Sequence, residues 1–275
     1  MNAHPLSNIK KVIAVVSGKG GVGKSLVTSL LAVNMNRAGK HSAILDADIT
    51  GPSIPKLFGI HEKALGNEDG ILPCKSKTGI DVMSINLLLE NDTDPVVWRG
   101  PVIAGTVKQF YTDVIWRDVD FMFVDMPPGT GDIQLTLSQQ VPLTGAVVVT
   151  TPQDIALIDA KKGLRMFQKV NVPILGIIEN MSVFICPHCG EVEHIFGEGG
   201  AKRMSEQYGV PLLGELPLSA KIREQADSGL PTVAAEPDGK EALMYREMAM
   251  KVAGALARIT KDYTAKMPGI RVVND

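Results

Sequence analysis

Nine residues, Ser17-Gly18-Lys19-Gly20-Gly21-Val22-Gly23-Lys24-Ser25, constrain this chain more than any other stretch. They follow the apolar, β-branched run Val12 to Val16 and precede Leu26 to Met35, whose apolar content and length suit a helix. The order is strand, glycine loop, helix. Successive glycines let backbone N–H groups turn toward one anion with no Cβ in the way, and the helix N-terminus adds its positive dipole end. In the pattern Gly-x4-Gly-Lys-Ser, Lys24 is placed to reach the β- and γ-phosphates of ATP and the Ser25 hydroxyl to bind Mg2+. Gly18, Lys19, Gly20, Gly21, Val22, Gly23 and Leu26 complete the expected binding loop. Lys19 is one cation more than such a loop needs, and at its outer edge it is free to point away from its own nucleotide.

The rest of the chain fits an α/β fold around that loop. Short apolar runs at Ser42 to Leu45, Phe121 to Val124, Gly145 to Val149, Ile174 to Ile178 and Val210 to Leu216 read as buried strands. Between them, Val102 to Trp116, Ile155 to Phe167 and the face Leu243, Met248, Val252, Leu256 and Ile259 carry helical periodicity. Ile71 to Ile85, broken by Thr78-Gly79, reads as a small hairpin leading into another strand, and Thr50-Gly51-Pro52-Ser53 as a turn. Strands alternating with helices predict a mostly parallel sheet with helices on both faces, a three-layer α/β/α arrangement. Without a Pro/Gly/Ser-rich linker, the 275 residues are expected to form one domain over 11–262, after a flexible segment 1–10 and before a tail 263–275.

Composition narrows the partners. A formal charge of −2, from 28 basic and 30 acidic residues, and few aromatics leave no footprint for nucleic acid. No apolar run approaches the ~20 residues that span a bilayer, and Met1 to Lys10 lacks a secretory core. Three cysteines suit a reducing compartment, so the expected location is the cytoplasm, with no membrane partner.

Three further clusters carry chemistry. Asp125-Met126-Pro127-Pro128-Gly129-Thr130-Gly131-Asp132 closes the strand ending at Val124, so Asp125 is positioned to hold Mg2+ opposite Ser25, while Gly129 and Gly131 offer N–H groups to the γ-phosphate. Asp46 and Asp48 stand two apart at another strand end; Asp46 is assigned to the Mg2+ shell and Asp48 to positioning the attacking water. Asn180 offers a donor and an acceptor matching the adenine edge, with backbone near Pro217 closing the base pocket. Finally, Cys186-Pro187-His188-Cys189-Gly190 presents two thiolates able to grip one metal centre. Four thiolates suit zinc and iron–sulfur alike, and His188 and His194 are possible added ligands. Cys74 reads as a small buried hydrophobe.

Together, Gly18 to Ser25, Asp46 to Ser53, Asp125 to Asp132 and Cys186 to Cys189 resemble the Mrp/NBP family, P-loop ATPases with a deviant Walker A motif that are related to MinD and the nitrogenase iron protein. The resemblance runs from about Lys11 to Leu256 and includes Val97-Trp98-Arg99-Gly100 and Thr151 to Leu157. It implies a slow ATPase and a homodimer in which Lys19, with Lys24 and Asp48 the expected catalytic set, reaches the phosphates bound by the other subunit. It also implies a bridging 4Fe-4S cluster held by Cys186 and Cys189 of each subunit and passed to apo-proteins. Leu26 departs from the family, many of whose members carry threonine there. Two other readings remain open at this point: a MinD- or ParA-like positioning ATPase, which would want a basic face or terminus, and a zinc-bridged, nucleotide-gated scaffold.

Overall fold

The computed structural model describes residues 1–49, 51, 53–89, 100–227, 229 and 236–264. The expected turn residues Thr50 and Pro52, the stretch Val97-Trp98-Arg99 and the last eleven tail positions, 265–275, lie outside the described residues.

In chain order the strands are β1 (Asn8–Ser17), β2 (Ser42–Asp46), β3 (Leu65–Gly66), β4 (Ile71–Leu72), β5 (Cys74–Lys75), β6 (Asp81–Met83), β7 (Asp118–Asp125), β8 (Gly145–Thr150), β9 (Ile174–Glu179), β10 (Phe184–Ile185), β11 (Val192–Glu193) and β12 (Leu212–Glu215). Eight of them form one sheet in the order β12-β9-β8-β1-β7-β2-β6-β5. Every pairing in it is parallel except β5 with β6. The helices are α1 (Lys24–Arg37), α2 (Ile54–Leu57), α3 (Gly100–Thr112), α4 (Asp132–Gln140), α5 (Asp154–Lys169), α6 (Gly200–Tyr208), α7 (Ala220–Asp227) and α8 (Lys240–Thr264).

The two-residue period of a strand divides the core. Ile13 and Val15 of β1 point to one face, where they join Leu30 and Leu31 of α1 and Tyr245, Met248 and Val252 of α8. Val12, Ala14 and Val16 point to the other, against Phe110 of α3, Leu137 of α4, Leu164 of α5 and Met204 of α6. A sheet covered on both sides explains why its strands are uninterrupted apolar runs, and the three layers are those expected.

Several local expectations shift. β1 begins at Asn8, paired with Asp118, so the last three residues of the segment expected to be flexible are strand. Ahead of it, the Ser7 hydroxyl accepts from the Trp116 N–H at 2.8 Å. The single hairpin expected over 71–85 is split: β4 pairs with β3, and only β5 and β6 form a hairpin. On α8 the buried face runs through Tyr245, Met248, Val252 and Leu256, whereas Leu243 is exposed. Leu243 precedes Met248 by five positions, about 140° off the stripe, and Tyr245 fills the place it was given. The helix runs to Thr264, past the boundary expected at 262.

Parallel strands put their carboxyl ends on one edge of the sheet. The chain turns back at β1, whose neighbours β7 and β8 lead to opposite halves, and the crevice at such a reversal is where open α/β sheets bind ligands. The loops after β1, β2, β7 and β9, which hold the phosphate loop, Asp48, Pro127 to Gly131 and Asn180, leave from that edge.

Candidate functional site

The phosphate loop lines a cavity of about 290 Å3 with Ser17, Lys19 to Leu26, Asp48, Ser53, Leu57 and Pro128. Glycine is required at two points of it. Gly23 takes φ 81°, and a Cβ there would stand 2.3 Å from the Asn180 amide nitrogen. A Cβ on Gly18 would meet the Asp159 backbone of α5 at 2.2 Å. α1 then starts with no side-chain cap and no acid in its first turn, carrying Lys24 and Ser25 instead. That is an unfavourable beginning for a helix left alone and a favourable one for a helix that receives an anion.

Asp125 anchors the site. It is fully buried and takes three donors: Lys24 Nζ at 2.7 Å, Ser25 Oγ at 2.6 Å and Thr28 Oγ1 at 2.8 Å. Lys24 Nζ also lies 3.8 Å from Asp48, whose carboxylate faces the cavity. Asp46 does not reach the cavity. Its Oδ1 accepts from the Asp48 N–H at 3.1 Å, its Oδ2 from the Ser84 hydroxyl at 2.9 Å, and it is 1% exposed. Burial first, then the Asp125 charge, pushes the Asp46 carboxyl well above the ordinary range. The alternation expected to send Asp46 and Asp48 the same way fails because β2 ends at Asp46.

Asn180 and Pro217 are both buried and neither lines the cavity. The Asn180 amide donates to the Val22 carbonyl at 3.0 Å, so that donor is committed to the back of the loop. Lys19 lines the cavity, yet its ammonium reaches sideways to Gln153 at 3.5 Å. After β7, the Gly129 N–H donates to Ser17 at 2.9 Å and the Gly131 N–H to the Gln134 side chain at 2.9 Å. Both groups expected to meet a γ-phosphate are spent within the protein in this state.

The cysteine pair sits on a separate antiparallel hairpin, β10 with β11. The Cys186 N–H donates to Glu191 at 2.9 Å and the Gly190 N–H to Cys186 at 2.9 Å, with Gly190 in the left-handed region. The backbone N–H groups of Cys189 and then His188 face the Cys186 sulfur, which lowers its pKa toward the thiolate a metal needs. Cys189 is exposed, and all three cysteines are free. Among the described residues, no three His, Cys, Asp or Glu side chains gather as a metal site, so the hairpin offers two ligands. Cys74 is buried, and burial raises its thiol.

A family profile, ParA, described as NUBPL iron-transfer P-loop NTPase, matches residues 8–253. The chain belongs to this family. An iron-sulfur cluster carrier protein of Pseudomonas fragi is 51% identical over 248 residues, 89% of this chain and 86% of the relative. An iron-sulfur protein of Arabidopsis thaliana, mitochondrial and required for NADH dehydrogenase, is 45% identical over 258 residues, 94% of this chain and 82% of its own. Among solved structures, a nucleotide-binding protein of Archaeoglobus fulgidus in complex with ADP is 40% identical with a TM-score of 0.74, covering 86% of this chain and 91% of that one. The cell division ATPase MinD of Pyrococcus furiosus, 24% identical with a TM-score of 0.62 over 89% of this chain and 98% of its own, shares the fold.

Sequence reasoning missed four residues that hold this site and its surroundings: Thr28, Ser84, Gln134 and Glu179. Thr28 had a signal, a hydroxyl four positions after Lys24 and so on the same face of the helix. Asp46 gives a prediction. A carboxyl whose native pKa is raised contributes stability that is complete below its unfolded pKa and lost as pH rises through the native one. Asp46→Asn, which can still accept from the Asp48 N–H and donate to Ser84, should therefore raise the melting temperature by a few degrees at pH 8 and by nothing near pH 4. Thermal unfolding across that range checks it; loss of stability at every pH would refute the burial argument.

Proposed function

We propose that the protein is an ATP-binding and ATP-hydrolysing carrier that holds a 4Fe-4S cluster between two copies of itself and passes it to apo-proteins. One observation carries this reading: a phosphate cradle and a surface hairpin bearing two free thiols occur in the same chain, and two thiols would be half of a four-thiolate site. A two-fold axis supplies the other half. The names of the relatives point to the same cargo, and the ADP in the Archaeoglobus neighbour to the same ligand.

In this reading residues 18–26 bind ATP, with Lys24 leaving Asp125 for the β- and γ-phosphates. The Ser25 hydroxyl lines the cavity and stands 2.6 Å from the buried Asp125 carboxylate, an all-oxygen pair that suits Mg2+; Ser25 would hold the ion directly and Asp125 through a water. Bound there, Mg2+ would neutralise developing phosphate charge. Asp48 orients the attacking water, and Lys19 serves the partner's nucleotide. Exposed Ile155 and Ile158 on α5, near Gln153 and the loop, and Ile185, Val192 and Ile195 around the cysteines suit burial against a second copy. Among the described residues no helix is long and apolar enough to cross a membrane. Free thiols suit a reducing compartment, and we place the carrier in the cytoplasm.

Asp48→Asn should lower turnover by about 10²-fold while ATP affinity stays within a few-fold. Steady-state hydrolysis beside equilibrium binding reads both, and unchanged turnover would remove Asp48 from the reaction. Anaerobic reconstitution with iron and sulfide tests the whole reading. We expect four irons and four sulfides per two chains and a dimeric mass. A tightly held zinc ion and refusal of iron would overturn the carrier in favour of the scaffold.

A further inference from the structure

β9 ends in a dipeptide that touches both halves of the proposed machine. Asn180 donates to the Val22 carbonyl at 3.0 Å, on the inner side of the phosphate loop. The fit there is close, since the missing Cβ of Gly23 is what leaves room for the amide. Its neighbour Glu179 is 1% exposed and spends one carboxylate oxygen on each end of the cysteine excursion. Oε1 accepts from the Ser182 hydroxyl at 2.8 Å and Oε2 from the Ala201 N–H at 2.8 Å. Ser182 leads into β10, and Ala201 lies in the first turn of α6, where the chain returns after β11. Both feet of the Cys186–Cys189 hairpin are thus held by one carboxylate, one peptide unit from the side chain that holds the loop.

Neither residue lines the cavity, so neither role requires contact with the nucleotide. A buried carboxylate is costly unless its hydrogen bonds are made, and a plain cap for α6 would not need one that also grips Ser182. We propose that Glu179 and Asn180 are positioning residues that couple occupancy of the phosphate loop to the setting of the cysteine hairpin. When the loop N–H groups turn onto a phosphate, the Val22 carbonyl moves with them; Asn180 follows, and Glu179 shifts both feet together. Such coupling is reciprocal, so loading the hairpin changes nucleotide affinity by the same factor, typically about 5–150-fold between coupled sites. The inference rests on the carrier reading for its purpose, but not for its test.

The test is amide hydrogen exchange over 183–200 in cluster-free, full-length protein. It is run without nucleotide and with saturating Mg2+ and ADP or a non-hydrolysable ATP analogue, with occupancy verified for each variant. Wild type should show a change in hairpin exchange of about 5-fold or more on binding, the low end of that coupling range. Asn180→Ala should lose the change. Asn180→Asp keeps the shape and removes the donor, so it should lose the change as well, whereas a residue that only fills space would tolerate it. Glu179→Ala, which removes both foot contacts and leaves the Asn180 contact to the loop in place, should exchange faster in both states and respond less. A response that persists undiminished in both Asn180 variants, or a wild type with bound nucleotide and no response, overturns the coupling. Because no cluster is present, neither result depends on whether the cargo is iron–sulfur or zinc, which the reconstitution decides separately.

Discussion

Lys24→Ala should weaken nucleotide binding by roughly two to three orders of magnitude, the loss that follows when one partner of a buried, hydrogen-bonded charge pair is truncated. The lysine is 5% exposed and already held at 2.7 Å by Asp125, so its ammonium is desolvated and positioned before any phosphate arrives. Removing it also leaves Asp125 with only the Ser25 and Thr28 hydroxyls among these three donors. A lower melting temperature should therefore accompany the loss of binding. Lys19→Ala is the contrast. Its ammonium reaches Gln153 at a surface position, so the variant should keep its stability and bind nucleotide measurably while hydrolysis falls. Mixed dimers of the two variants decide whether Lys19 acts across the interface. Activity that only averages the parents would remove the in-trans role. Calorimetric titration beside thermal unfolding separates a lost contact from a lost fold.

How far the sequence could be read depends on the range of each contact. The phosphate loop and the cysteine pair were legible because their chemistry lies within a few consecutive residues whose spacing sets the geometry. Asp125 was legible because an apolar strand delivering a carboxylate beside such a loop has few other uses. Asp46 looked equivalent and is not, since what distinguishes it is Ser84, thirty-eight positions away. Glu179 is hidden in part for the same reason, since Ala201 lies twenty-two positions away. Its partners Ser182 and Ala201 belong to a fold in which a surface excursion begins and ends at one strand tip. The N–H groups of Gly129 and Gly131 lie on the loop after β7 as expected, but they donate to Ser17 and Gln134 within the protein. On α8 the apolar count includes Leu243, but the 100° step turns that residue to solvent and puts Tyr245 inside.

The cysteine pair gives the second large effect. Cys186→Ala or Cys189→Ala should each abolish the iron–sulfur cluster outright, because a 4Fe-4S centre needs four protein ligands and each chain brings two on its hairpin. Losing one per chain leaves two across the axis. The effect should be confined to the hairpin: β10 and β11 stand apart from the eight-stranded sheet, so ATP binding at the phosphate loop should survive within the limits of the Glu179–Asn180 coupling. Cys74→Ala should spare the cluster, since that thiol is buried beside β6 and its pKa is raised by burial, the reverse of what a ligand needs. Exposure of the hairpin adds a kinetic consequence. A centre gripped by two ligands from each of two separable chains is held less firmly than one enclosed by a single fold, so it should leave for a four-cysteine acceptor. Iron and sulfide analysis of the reconstituted variants, with absorbance following transfer to such an acceptor, measures both claims. A full cluster in either single-cysteine variant would overturn the shared site, and a cluster that resists every acceptor would overturn the carrier.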